Sequence, residues 1–76
     1  MEQIKEILER LRPEFNFEAS HDFIEDGFLD SFDIVQIVSE FEEKFGAVVD
    51  GLDILPQNFS SFEAMAALVQ KSGGKI

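Results

Sequence analysis

Between Asp30 and Gly46 the chain carries a helical pattern with a readable start and stop, and no other stretch constrains the fold as strongly. Asp30 is an N-cap residue, Asp33 puts negative charge in the first turn where the helix dipole favours it, and Gly46 follows the last apolar position. At about 100° per residue counted from Ser31, Ile34, Ile37, Val38, Phe41 and Phe45 fall within a sector of roughly 240° to 340°, with Val35 just beyond it. That sector has to be buried. Asp33, Gln36, Glu40 and Glu43 fall at roughly 120° to 200° and are predicted to form a polar, mostly acidic outer face. Glu40 and Lys44 are spaced for an i, i+4 ion pair.

Two further segments have helical spacing. Ile4, Ile7, Leu8 and Leu11 mark one face of a helix from Glu2 to Arg12, which Pro13 stops. Ser60 and Glu63 read as a capping box that opens a last helix with Phe62, Met65, Leu68 and Val69 on one side. It is expected to fray at Ser72-Gly73-Gly74, leaving a flexible tail over about 72–76. Asp50 to Leu55 reads as a short helix before Pro56. No segment alternates with period two, so the expected fold is an all-α bundle of three long helices plus one short one, in a single domain over 1–76.

The connection from Pro13 to Asp30 is longer than the roughly two to eight residues usual between bundle helices. It carries Phe15, Phe17, Phe23, Ile24, Phe28 and Leu29, too apolar for disorder, so it must lie on the core and deliver Ser31 to a fixed place.

Composition then narrows the function. With no cysteine in 76 residues, disulfides, thiolate metal sites and a Cys nucleophile are excluded, and stability must come from apolar packing. Six basic against 16 acidic residues give a net charge of −10, which repels nucleic acid and anionic lipid and suits basic partner surfaces. No apolar run reaches the length of a membrane span, and the first residues lack the pattern of a signal peptide, so a cytoplasmic monomer is expected. Ser20-His21-Asp22 has the letters of a catalytic triad, but adjacent residues cannot line up nucleophile, base and orienting acid. The acidic turns lack the ligand spacing of a calcium loop, and no metal site is expected.

The chemistry concentrates at Asp26-Gly27-Phe28-Leu29-Asp30-Ser31-Phe32-Asp33, which places a hydroxyl in the first turn of a helix, where free N–H groups and the dipole accept a phosphate ester. Asp30-Ser31-Phe32, then Val35, Ile37, Val38, Phe41 and Phe45-Gly46, with Gly27-Phe28-Leu29 upstream and Asn58-Phe59-Ser60-Ser61 downstream, resemble the acyl carrier protein family, the phosphopantetheine-attachment domain. The resemblance covers essentially the whole chain. It implies a non-catalytic carrier. In such a carrier Ser31 bears a covalent 4'-phosphopantetheine supplied from coenzyme A by a phosphopantetheinyl transferase, and acyl or aminoacyl groups ride on the terminal thiol as thioesters.

By the same resemblance Asp30 assists recognition by the transferase, and Asp33, Glu40 and Glu43 present the acidic face that loading ligases and biosynthetic enzymes read with basic patches. Two departures stand out: Phe32 replaces the usual Leu or Met after the serine, and Gln36 stands where many members carry Glu. Phe32 falls outside the core stripe and reads as a contact residue, while the other eight Phe read as core. Fatty-acid or polyketide carriage and aminoacyl carriage, as in the D-alanyl carrier of cell-wall modification, are both compatible with the residues. An acidic helical interaction module with no prosthetic group is the alternative of a different class.

Overall fold

Each helix forms where its apolar spacing marks a face. The computed structural model describes residues 2–75. Helix α1 spans Glu2–Leu11, α2 spans Ser31–Phe45 and α3 spans Phe62–Lys71, with 3-10 turns at Phe17–Ala19, Gly51–Asp53 and Pro56–Phe59. No strand occurs among the described residues, so the all-α reading holds. Ile4, Ile7 and Leu8 of α1 join Ile37, Phe41 and Phe45 of α2, Met65, Leu68 and Val69 of α3, and Phe59 in one buried cluster. Each such side chain contributes about 1.5–3 kcal/mol by leaving water. α1 packs against both α2 and α3, so its end controls what meets the start of α2.

The long connection lies on the core, as its apolar content requires. Phe17, Phe23 and Leu29 are buried, and Phe15, Ile24 and Phe28 pack against them. Phe15 and Phe28 stack with ring centroids 4.4 Å apart, and Phe17 meets Phe23 and Phe28 edge-on at 5.0 and 5.5 Å. The Phe23 carbonyl accepts N–H bonds from Phe28 at 2.9 Å and Leu29 at 3.3 Å, closing a turn in which Gly27 takes φ 75°, a conformation that only glycine adopts without strain. On its other side the Phe23 N–H donates to the Ser60 carbonyl at 2.8 Å. The segment that leads into Ser31 is therefore fastened to the approach of α3.

Two local expectations are corrected. The Asp50–Leu55 short helix is a single 3-10 turn over Gly51–Asp53, opened by the Asp50 carboxylate accepting the Leu52 N–H at 2.9 Å. It cannot extend, because Leu55 precedes Pro56 and is held extended at φ −121°, ψ 146°. The last helix is capped by Ser61, whose hydroxyl accepts the Ala64 N–H at 3.1 Å, not by Ser60 with Glu63. The turn beginning at Pro56 leaves Ser60 in helical geometry with its hydroxyl donating to the Gln57 carbonyl, and Ser61 is the residue with the extended backbone a cap needs.

Residues 72–75 hydrogen-bond back to the bundle. The Gly74 N–H donates to the Val69 carbonyl at 2.8 Å, the Lys75 N–H to Phe45 at 3.2 Å, and the Val48 N–H to Ser72 at 3.3 Å. Ile76 lies outside the described residues.

Candidate functional site

The start of α2 is built by two aspartates that cap one another. Asp30 has the extended backbone of an N-cap, and its Oδ1 accepts the Asp33 N–H at 3.0 Å. In return Asp33 Oδ2 accepts the Asp30 N–H at 3.1 Å, completing a capping box. Ser31 is the first helical residue, between them, and it is exposed. At the other end Gly46 closes the helix at φ 69°.

Six serines are the chain's only hydroxyl side chains, and their surroundings differ. Ser20 donates to Asp26 and accepts the Asp22 N–H, Ser60 donates to Gln57, Ser61 caps α3, and the Ser72 hydroxyl is buried. Ser39 is exposed but sits within α2, away from its free N–H groups. Ser31 alone among them is exposed at the first residue of a helix. A phosphoryl ester fits there, since the oxygen is open to an approaching donor and sits at the positive end of a fifteen-residue helix.

The expected acidic outer face is rotated. Asp33 is not on it: the residue is only 3% exposed, and α1 brings Arg12 against it, with Nε at 3.0 Å and Nη2 at 2.9 Å from Asp33 Oδ2. A carboxylate buried this deeply is tolerated because its charge is paired and hydrogen-bonded. Glu40 turns the same way, with its side chain 24% exposed and its Oε1 2.6 Å from Arg10 Nη2, so the pair with Lys44 is replaced by one with α1. Gln36 is half-buried, and Glu43 remains exposed.

The face that α2 gives to solvent instead holds Ser31, Phe32, Val35, Ser39, Glu42 and Glu43. Phe32 is 69% and Val35 65% exposed, which leaves two large apolar side chains beside the hydroxyl. Val35, next to the apolar stripe in the sequence, and Glu42 both lie on this exposed face, which the spacing alone does not predict. No local sequence pattern marks Arg12, because its partners stand 18 and 21 residues away.

Electrostatics follow these contacts. The Asp30 carboxyl lies below its usual range, first because the Asp33 backbone N–H donates to its charged form, with Arg12 adding attraction and partial desolvation opposing. The Arg12 guanidinium is raised further above its usual value, chiefly by its hydrogen bond to Asp33. Two shallow clefts of about 310 and 250 Å³ flank the long connection, one lined by Phe17, Phe23 and Phe62 and the other by Ile24, Pro56 and Ser60; neither has a residue of α2 in its lining.

No helix among the described residues is long and apolar enough to cross a membrane. A family model described as "Phosphopantetheine attachment site" matches residues 1–69. No curated protein and no solved structure matches the chain significantly. Carriers of this kind are served by a phosphopantetheinyl transferase and by partner enzymes, and they do no catalysis themselves. Because the match takes in α1, α2 and most of α3, the chain belongs to the phosphopantetheine-attachment family and carries thioester-linked intermediates on a covalent 4'-phosphopantetheine.

Proposed function

We propose that Ser31 is the attachment residue, with Asp30 read by the transferase and the exposed face of α2 read by partner enzymes. The observation that carries this is the contrast among the six serines: Ser31 combines an exposed hydroxyl with the first position of a long helix. When bound, the prosthetic group supplies a terminal thiol that this cysteine-free chain lacks. The chain's own part is to tether and present. Tethering raises the effective concentration of the intermediate at each partner, and weak charge-guided docking permits release between steps. In this reading Phe32 and Val35 make apolar contact beside the serine, and Glu43, with Glu42, supplies charge at the far end of the helix.

The cargo in this reading is short, either acyl or aminoacyl, and stays outside the bundle. Ile37, Phe41, Met65 and Val69 are fully buried in mutual packing, which supports a closed interior, and the two clefts stand away from α2. The test of the attachment residue is to load the chain from coenzyme A and locate the added group by peptide fragmentation. Modification at Ser31 is the expected result, and modification at Ser39 or any other serine would move the site. For the cargo, amide spectra of the octanoyl-loaded chain are expected to leave Ile37 and Phe41 unshifted; large shifts there would show the chain entering the core.

A further inference from the structure

Arg12 lies one residue beyond α1, and its side chain reaches the first turn of α2 on both sides of Ser31. Its Nε and Nη2 converge on Asp33 Oδ2, and Nη2 also lies 3.3 Å from Asp30 Oδ2. Nη1 takes Glu14 Oε2 at 3.3 Å, so every arm of the guanidinium is engaged. The backbone before it is fixed too, since the Arg12 N–H donates to the Leu8 carbonyl at 2.9 Å and Pro13 follows. A planar fork of donors suits this task, because one rigid group spans two carboxylates that a lysine ammonium serves only one at a time.

The two carboxylates held by Arg12 are the same two that form the capping box, so all the groups that set the backbone around Ser31 share one cation. Without it, Asp33 Oδ2 would keep only the Asp30 N–H as donor in a buried place. The way to relieve that is for Asp33 to swing toward water, which opens the capping box and frees the first turn. We propose that Arg12 is a positioning residue for modification of Ser31: by bridging Asp33 and Asp30 it holds the first turn of α2 in the geometry that the transferase modifies. This rests on the reading of Ser31 as the attachment residue.

The experiment measures the rate of loading from coenzyme A by a phosphopantetheinyl transferase, at a temperature where circular dichroism shows every variant folded. Arg12→Ala is expected to lower kcat/KM for loading about tenfold, as small misplacements of a reacting group do. Arg12→Lys is expected to recover part of that loss. Arg10→Ala, which removes the neighbouring pair with Glu40, is expected to load at the wild-type rate and so excludes a general effect of charge or of α1 docking. Should Arg12→Ala fail to fold, the double variant Arg12→Gln with Asp33→Asn removes both charges together, and slowed loading is expected there as well, because Asp30 has lost its guanidinium. Loading of the folded Arg12 variants at the wild-type rate, or an equal loss in Arg10→Ala, overturns the inference while leaving the attachment reading intact. A wild-type chain that is not loaded on Ser31 overturns both.

Discussion

Asp30 and Asp33 exchange hydrogen bonds across the first turn of α2, each carboxylate accepting the other's backbone N–H at 3.0 to 3.1 Å, and Ser31 is held between them. The two are not equivalent. The Asp30 side chain is 62% exposed and faces a visitor, whereas Asp33 is buried against Arg12. Asp33→Ala is therefore expected to destabilise the fold by about 2 kcal/mol, from loss of one half of the box and of a buried pair. Urea unfolding checks this, and an unchanged midpoint would mean that the burial contributes nothing.

The phenylalanines divide by position. Phe23 is fully buried and joins the long connection to α3 through Phe62 and Ser60, so Phe23→Ala is expected to cost about 3–5 kcal/mol. Phe32→Ala is expected to change stability by no more than about 0.5 kcal/mol while weakening transfer to a partner enzyme. Thermal unfolding of both, beside a transfer assay on the loaded Phe32 variant, separates the roles. Equal destabilisation by the two would contradict the assignment.

At the chain's end, a Cβ on Gly74 would lie 2.6 Å from Val69 Cγ1 and 2.8 Å from Ala47 Cβ. Gly74→Ala is expected to destabilise by about 1–3 kcal/mol, the usual cost of overpacking. Calorimetry gives the answer, and a neutral result would show that the segment over 72–75 leaves the bundle in solution.

Acid should expose the role of Asp30. Its folded-state pKa lies below the ordinary value near 3.8, so its contribution to stability is complete above that value and is lost as pH falls through the lower folded one. Asn is also a good N-cap, which makes Asp30→Asn a suitable reference. The difference in urea midpoint between wild type and Asp30→Asn is expected to be constant from about pH 7 to 5 and to narrow below about 4. A gap that closes already above pH 5 would assign the effect to other groups.

The three helices were legible because each carries several apolar residues at helical spacing, and α2 also carries its own cap and stop in Asp30 and Gly46. The position of Ser31 followed from the same local chemistry. What the sequence could not show is which side of α2 meets α1. That depends on contacts with a separate element: Asp33 is buried against Arg12 and Glu40 pairs with Arg10, while Phe32 and Val35 stay exposed. The shift of the α3 cap from Ser60 to Ser61 has a similar cause: both residues are competent caps, and the turn beginning at Pro56 decides between them.

The most direct measurement is intact mass before and after incubation with coenzyme A, magnesium and a phosphopantetheinyl transferase, with Ser31→Ala alongside. Ser31 is exposed, so the variant is expected to remain folded and serve as a clean control. The expected result is one added phosphopantetheine on the wild-type chain and none on Ser31→Ala. A wild-type chain that gains no mass, or a Ser31→Ala chain that gains the same mass, would contradict the assignment of Ser31 as the carrier's attachment point.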